Sequence, residues 1–131
     1  MKALKFTVVL SLLVGVFAQA ATVSYDCNIV NGKDMSSLAS GTVTFDSDAD
    51  ISRSNTLSFT SESGYLINFG ITSSVAFGLS TVTYYMTAKE NNLAQSVLIS
   101  TFDSEVIMEN VKMAAQSPDQ KISALVHCQK K

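Results

Sequence analysis

Three carboxylates alternate along the stretch TFDSDAD, at Asp46, Asp48 and Asp50. Calcium loops begin with this spacing, because alternate residues turn their oxygens toward one ion. An EF-hand loop starting at Asp46 needs glycine at its sixth position and glutamate at its twelfth, and Ile51 and Leu57 stand there instead. The three acids therefore remain a calcium candidate only for a looser site, against the plainer reading of an acidic turn that ends a strand. His127 is the sole histidine, so any design that needs two is excluded. Its neighbour Cys128 belongs to an apolar face, which turns the imidazole outward, away from the buried acid and nucleophile that a catalytic triad requires. Two cysteines and one adjacent histidine do not make a tetrahedral zinc set. The chain has no phosphate loop, dinucleotide fingerprint or Cys-x-x-Cys pair, and no cofactor is expected. Asp26, Asp34, Glu62, Asp103, Glu105 and Glu109 are scattered, with no pair marked out for glycosidase chemistry. These residues point away from an enzyme.

The elements that position them begin after a leader. Lys2 and Lys5 precede an apolar run from Phe6 to Phe17, and Ala18 and Ala20 supply the small side chains that signal peptidase pockets accept. We expect residues 1–20 to be a secretory signal peptide cleaved before Ala21, and residues 21–131 to form one domain. That domain carries seven of the nine basic and all eleven acidic side chains, a formal charge of −4. A mildly acidic surface without a Lys or Arg cluster offers nothing to nucleic acid, and membrane insertion after cleavage is not expected. The expected location is periplasmic or secreted.

Apolar residues in the domain alternate with Ser, Thr and Asn, the period of half-buried strands. Strands are expected near 22–30, 41–46, 56–60, 65–71, 80–89, 94–101, 106–113 and 121–129, with a helical turn fitting only at 33–39. Asn31-Gly32, Ser63-Gly64, Asn91-Asn92 and Pro118-Asp119 are the turn signals. The sum is an all-β domain, a small antiparallel barrel or sandwich of about eight strands. Val23, Tyr25, Cys27 and Ile29 share one face of the first strand, as Ile122, Ala124, Val126 and Cys128 do in the last. Both cysteines thus point inward near the two ends of an exported chain, and a Cys27–Cys128 disulfide is expected to join those ends.

An internal echo accompanies this pattern. TVSYD from Thr22 returns as TVTYY from Thr81, offset by 59, and TFDS from Thr44 returns from Thr101, offset by 57. Either two related halves or chance likeness among Thr- and Ser-rich strands explains it. If the second match is structural, Phe45 and Phe102 both point inward.

What remains is a noncatalytic β domain that binds a protein or envelope component through its surface. Tyr65, Tyr84 and Tyr85 are the aromatics best suited to anchoring a partner, and alternation puts Tyr84 inside and Tyr85 outside, so Tyr85 is the binding candidate. Tyr25-Asp26-Cys27, Ser63-Gly64-Tyr65 and the late Cys128 resemble the motifs of small periplasmic lysozyme inhibitors of the MliC type. That resemblance implies a compact disulfide-closed β-barrel and inhibition of a lysozyme-like enzyme. The chain departs from the pattern in lacking tryptophan, in placing a tyrosine directly after Gly64 and in its length beyond that motif. A small outer-membrane barrel or a ligand carrier is a further alternative, though several strands are short for spanning a bilayer or enclosing a ligand.

Overall fold

Strict alternation of apolar and polar residues forces strands to share their apolar faces, and here two sheets do so. The structure is a computed structural model that describes residues 21–62, 64–90, 96–116 and 123–131. The expected leader, Ile122, Ser63 and the turn signals at Asn91-Asn92 and Pro118-Asp119 lie outside the described residues. The strands among the described residues are β1 (Thr22–Asn31), β2 (Ser37–Asp46), β3 (Ile51–Arg53), β4 (Leu57–Thr60), β5 (Tyr65–Ala76), β6 (Leu79–Glu90), β7 (Val97–Ser104), β8 (Asn110–Gln116) and β9 (Ser123–Lys130). One antiparallel sheet has the order β2-β1-β9-β8; the other has β3-β5-β6-β7, with β4 also on β5. The sheets sandwich a single core. Tyr25, Ile29 and Val126 face Phe69, Ile71 and Tyr84 across it, all at most 1% exposed. Full burial of an aliphatic side chain of this size stabilises by ~1.5–3 kcal/mol.

Two expectations need correction. The segment 33–39 is not helical: a turn follows Asn31, whose carbonyl accepts from Met35 N–H and whose side chain accepts from Lys33 N–H, and β2 starts at Ser37. Asp34 caps the same turn, accepting from the Ser36 hydroxyl and N–H, and these bonds hold its carboxyl below the ordinary range. Residues 106–109 are a linker rather than a strand, because Met108 turns its backbone to the core (below). A ninth strand, β3, continues β4 along the same edge of β5. Arg53 pairs with Thr72 and Leu57 with Phe69, so one extra residue bulges between them.

Cys27 and Cys128 stand directly opposite each other in β1 and β9, with Cα atoms 4.0 Å apart, and are disulfide-bonded across a separation of 101 residues. The two ends of the domain are therefore fastened through adjacent strands.

The register also tests the internal echo. Cys27 pairs with Cys128 in one sheet, and Met86 pairs with Phe69 in the other; 27 to 86 and 69 to 128 are both steps of 59. Tyr25 pairs with Val43 and Tyr84 with Phe102, again 59 apart in each case. Each sheet thus combines the leading hairpin of one half with the trailing strands of the other. The TFDS match does not fit this frame. Its 57-residue step would set Phe45 against Phe102, whereas the register sets Val43 against Phe102. Phe45 is buried, while Phe102, on the edge strand β7, is 45% exposed.

Candidate functional site: the end of the sandwich that carries the β5–β6 hairpin

Burial along β5 ceases after Ser73, and on β6 it resumes only at Val82. Residues 74–81 are exposed without interruption, although they remain paired as far as Ala76 and Leu79. At about 3.3 Å per residue, the hairpin stands roughly 10 Å proud of the core. Phe77 and Gly78 form its two-residue loop, with φ of 53° and 75°. Positive φ at both central positions is a type I′ turn, which matches the twist of paired strands and favours Asn-Gly. Gly78 suits it, but phenylalanine in the left-handed region costs on the order of 1 kcal/mol. The Phe77 side chain recovers nothing from the fold, being 104% exposed. Val75 and Leu79 flank it, also exposed, and Ile51 projects beside Ser74 from the neighbouring strand. Four apolar side chains thus surround one water-facing tip.

A cleft of about 260 Å³ opens at the foot of this tip, lined by Phe45, Ser73, Ser80, Thr81, Glu105 and Val106 among others. The acidic stretch borders the same end. Asp46 accepts from the N–H of Asp48, and the Asp48 carboxylate accepts from the Ala21 N–H at 2.9 Å. Ser47 donates from both its N–H and its hydroxyl to the Ala21 carbonyl, while the Asp50 carbonyl accepts from Val75 N–H. The motif therefore clamps residue 21 and the hairpin base. Among the described residues, no group of three or more His, Cys, Asp or Glu is placed to hold a metal ion.

The other sequence-nominated residues lie elsewhere. Tyr85 faces outward from β6, as expected, but its ring lies over Gly70 on β5; a Cβ there would come within 2.5 Å of the phenol oxygen. Cross-strand cover of a glycine by an aromatic is a packing role. Tyr65 packs partly against the core. Tyr84 is fully buried, and its surroundings show a group that sequence reasoning did not foresee. Tyr25 and Tyr84 meet edge to face across the sandwich, centroids 6.1 Å apart, with hydroxyls 3.0 Å apart. Met108 N–H donates to the Tyr84 oxygen, Tyr84 donates to Tyr25, and Tyr25 donates to the Met108 carbonyl, which closes a circuit. Burial, followed by the Tyr84 bond, pushes the Tyr25 phenol far above its usual range. Both tyrosines stand in the TVSYD/TVTYY echo, so the signal for a pseudo-equivalent pair was present in the sequence.

His127 is exposed on the outer face of the β2-β1-β9-β8 sheet, opposite Lys112, beside a shallow depression of about 410 Å³ lined mainly by Val30, Met35, Ala114 and Leu125. Asp26 and Glu109 form exposed ion pairs with Lys131 and Lys130, at 3.0 and 2.8 Å. Such pairs contribute little and present no catalytic acid couple. Comparison of the chain with family models, curated proteins and solved structures finds no match.

Proposed function

We propose that this chain is an exported, noncatalytic β-sandwich that binds a protein partner of the cell envelope through its β5–β6 hairpin tip. The observation that carries the reading is Phe77, an aromatic held at a costly φ with its whole surface in water. Backbone strain with no gain to the fold is a mark of a position kept for contact. An aromatic anchor ringed by aliphatic residues is the composition of an interface centre.

Export is supported by the leader pattern, by the disulfide and by the place of Ala21. Cleavage before Ala21 would turn its N–H into an α-ammonium, and the contact with Asp48 would become an ion pair at the surface. Two separate sheets with the space between them filled by Tyr25, Phe69 and Tyr84 favour a water-soluble binding domain over an outer-membrane barrel or an enclosing carrier. Photo-crosslinking in the producing cell tests the proposal. A photoreactive residue at Phe77 should give a discrete adduct, and one at Asn68 on the outer sheet face should not. Equal labelling from both positions would refute it.

A second reading follows from the shape. A projecting hairpin on a sandwich fastened by the Cys27–Cys128 disulfide suits insertion into a concave enzyme cleft, as inhibition of a lysozyme-like enzyme would require. Under that reading the pure protein slows lysozyme turnover and Phe77→Ala relieves the block.

A further inference from the structure

Among the described residues four sheet edges end this sandwich, and three are obstructed. On β2, the Asn55 side chain accepts from Thr44 N–H and donates to the Thr42 carbonyl, and the Ser52 hydroxyl accepts from Asp46 N–H. The edge made by β3 and β4 consists of three- and four-residue pieces broken by a bulge. β8 carries Lys112 next to its central residue. Short strands, bulges and lysines are the devices that keep sheet edges from pairing with other chains, and β7 carries only the second of these, at Ile99. β7 has eight residues, VLISTFDS, with no lysine, arginine or proline and a single acid, Asp103. Val97 is 54%, Leu98 56% and Phe102 45% exposed.

The order of faces along β7 points to its occupant. Val97 opposes Ala88, Ser100 opposes Met86 and Phe102 opposes Tyr84, all inward positions of β6, while Leu98 and Thr101 oppose the outward Thr87 and Tyr85. The register slips by one residue at Met86/Thr87, and the extra residue, Ile99, packs toward the core. From 97 to 102 the faces therefore read in, out, in, in, out, in, the same from either end. An antiparallel copy of this strand, related by a two-fold passing between Ile99 and Ser100, matches every inward residue to an inward one. Val97 meets Phe102 of the copy, and Phe102 meets Val97, so both half-exposed inner pairs gain an apolar neighbour. Leu98 meets Thr101 on the outer face. The lone charge, Asp103, falls opposite Ser96 rather than against its own image.

We propose that β7 pairs with β7 of a second copy of this chain, joining two sheets edge to edge in a two-fold dimer. The inference is independent of the hairpin tip, which lies outside β7 and stays available in each copy.

Sedimentation velocity of the exported protein over about a thousandfold concentration range tests it. The expected result is a monomer that becomes a dimer. Val97→Lys and Phe102→Lys, each checked for an unchanged circular dichroism spectrum, should weaken dimerisation at least ~10-fold, since a cation is set into an apolar cross-strand pair. Val106→Lys, exposed but outside β7, should leave it unchanged. Because Phe102 also packs on Tyr84, 6.1 Å between centroids, a covalent trap stands beside these variants. Leu98→Cys with Thr101→Cys should oxidise to a linked dimer, whereas Leu98→Cys alone should not. A monomer at every concentration, a dimer that survives both lysine variants, or equal crosslinking by the single cysteine would each overturn the proposal. Protection of β7 amides from exchange only on adding another protein would overturn it as well.

Discussion

The two long rims of the sandwich occupy matching places in a frame that repeats every 59 residues, yet they are finished differently. Between β2 and the β3–β4 strands, Asn55 and Ser52 bond directly to the exposed edge of β2. Between β7 and β8, the linker is fastened from inside, where Met108 bonds to the hydroxyls of Tyr84 and Tyr25. The first arrangement closes the rim and covers the edge together. The second closes the rim but, among the described residues, leaves β7 uncapped, with Val97, Leu98 and Phe102 exposed. Joining two sheets and protecting their edges are thus separate tasks, and exposed apolar surface gathers where only the first is met. The hairpin tip shows the same contrast: its turn is closed, and the side chain that closes it packs on nothing.

The frame common to both rims should yield the largest effect. Replacing Cys27 and Cys128 together by serine removes the cross-link over about 100 residues and should cost ~3–5 kcal/mol in urea unfolding. Full stability in the double variant would place the fastening elsewhere. The inner tie comes next. Tyr84→Phe deprives Met108 N–H of its acceptor and breaks the circuit, for an expected loss of ~1–3 kcal/mol. Tyr25 adds a pH signature. Its folded pKa lies above its unfolded value near 10. Its contribution is complete below that value and declines as pH rises beyond it, because the unfolded chain gives up the proton first. One proton corresponds to ~1.4 kcal/mol per pH unit, and Tyr25→Phe should fall less steeply with alkali than the native protein. An unchanged slope would contradict the buried phenol. Asn55→Ala, which uncaps the other rim, should cost only ~1 kcal/mol since its bonds are exposed. It should also make β2 amides exchange faster, turning the sealed rim into a likeness of the open one.

Much of this frame was legible in the sequence. Alternation placed Tyr25, Cys27, Ile29, Val82, Tyr84 and Met86 inward, and the even pair of cysteines on inward faces implied the disulfide. The missing parts depend on how strands meet. Phe77-Gly78 carries only half of a type I′ signature, so it does not stand out beside Asn31-Gly32 and Ser63-Gly64, and β5 and β6 run longer than the alternation alone indicates. Asn55 reads as an ordinary loop residue until β2 lies beside it. Alternation turned Tyr85 outward, as found, but carries no information about Gly70 across the ladder, over which its ring lies. The TFDS echo is a likeness of letters that ignores a two-residue difference in register: Phe45 on β2 and Phe102 on β7 both turn inward, but only Phe45 is buried.

The central claim is that the exposed apolar residues are kept for contact and not for folding, and Phe77→Asn tests it most directly. Asparagine tolerates positive φ, and with Gly78 it completes the preferred turn pair. The free energy of unfolding in urea is predicted to rise by ~0.5–1 kcal/mol over the native protein. An unchanged or lower value would mean that Phe77 serves the fold, and would contradict the account.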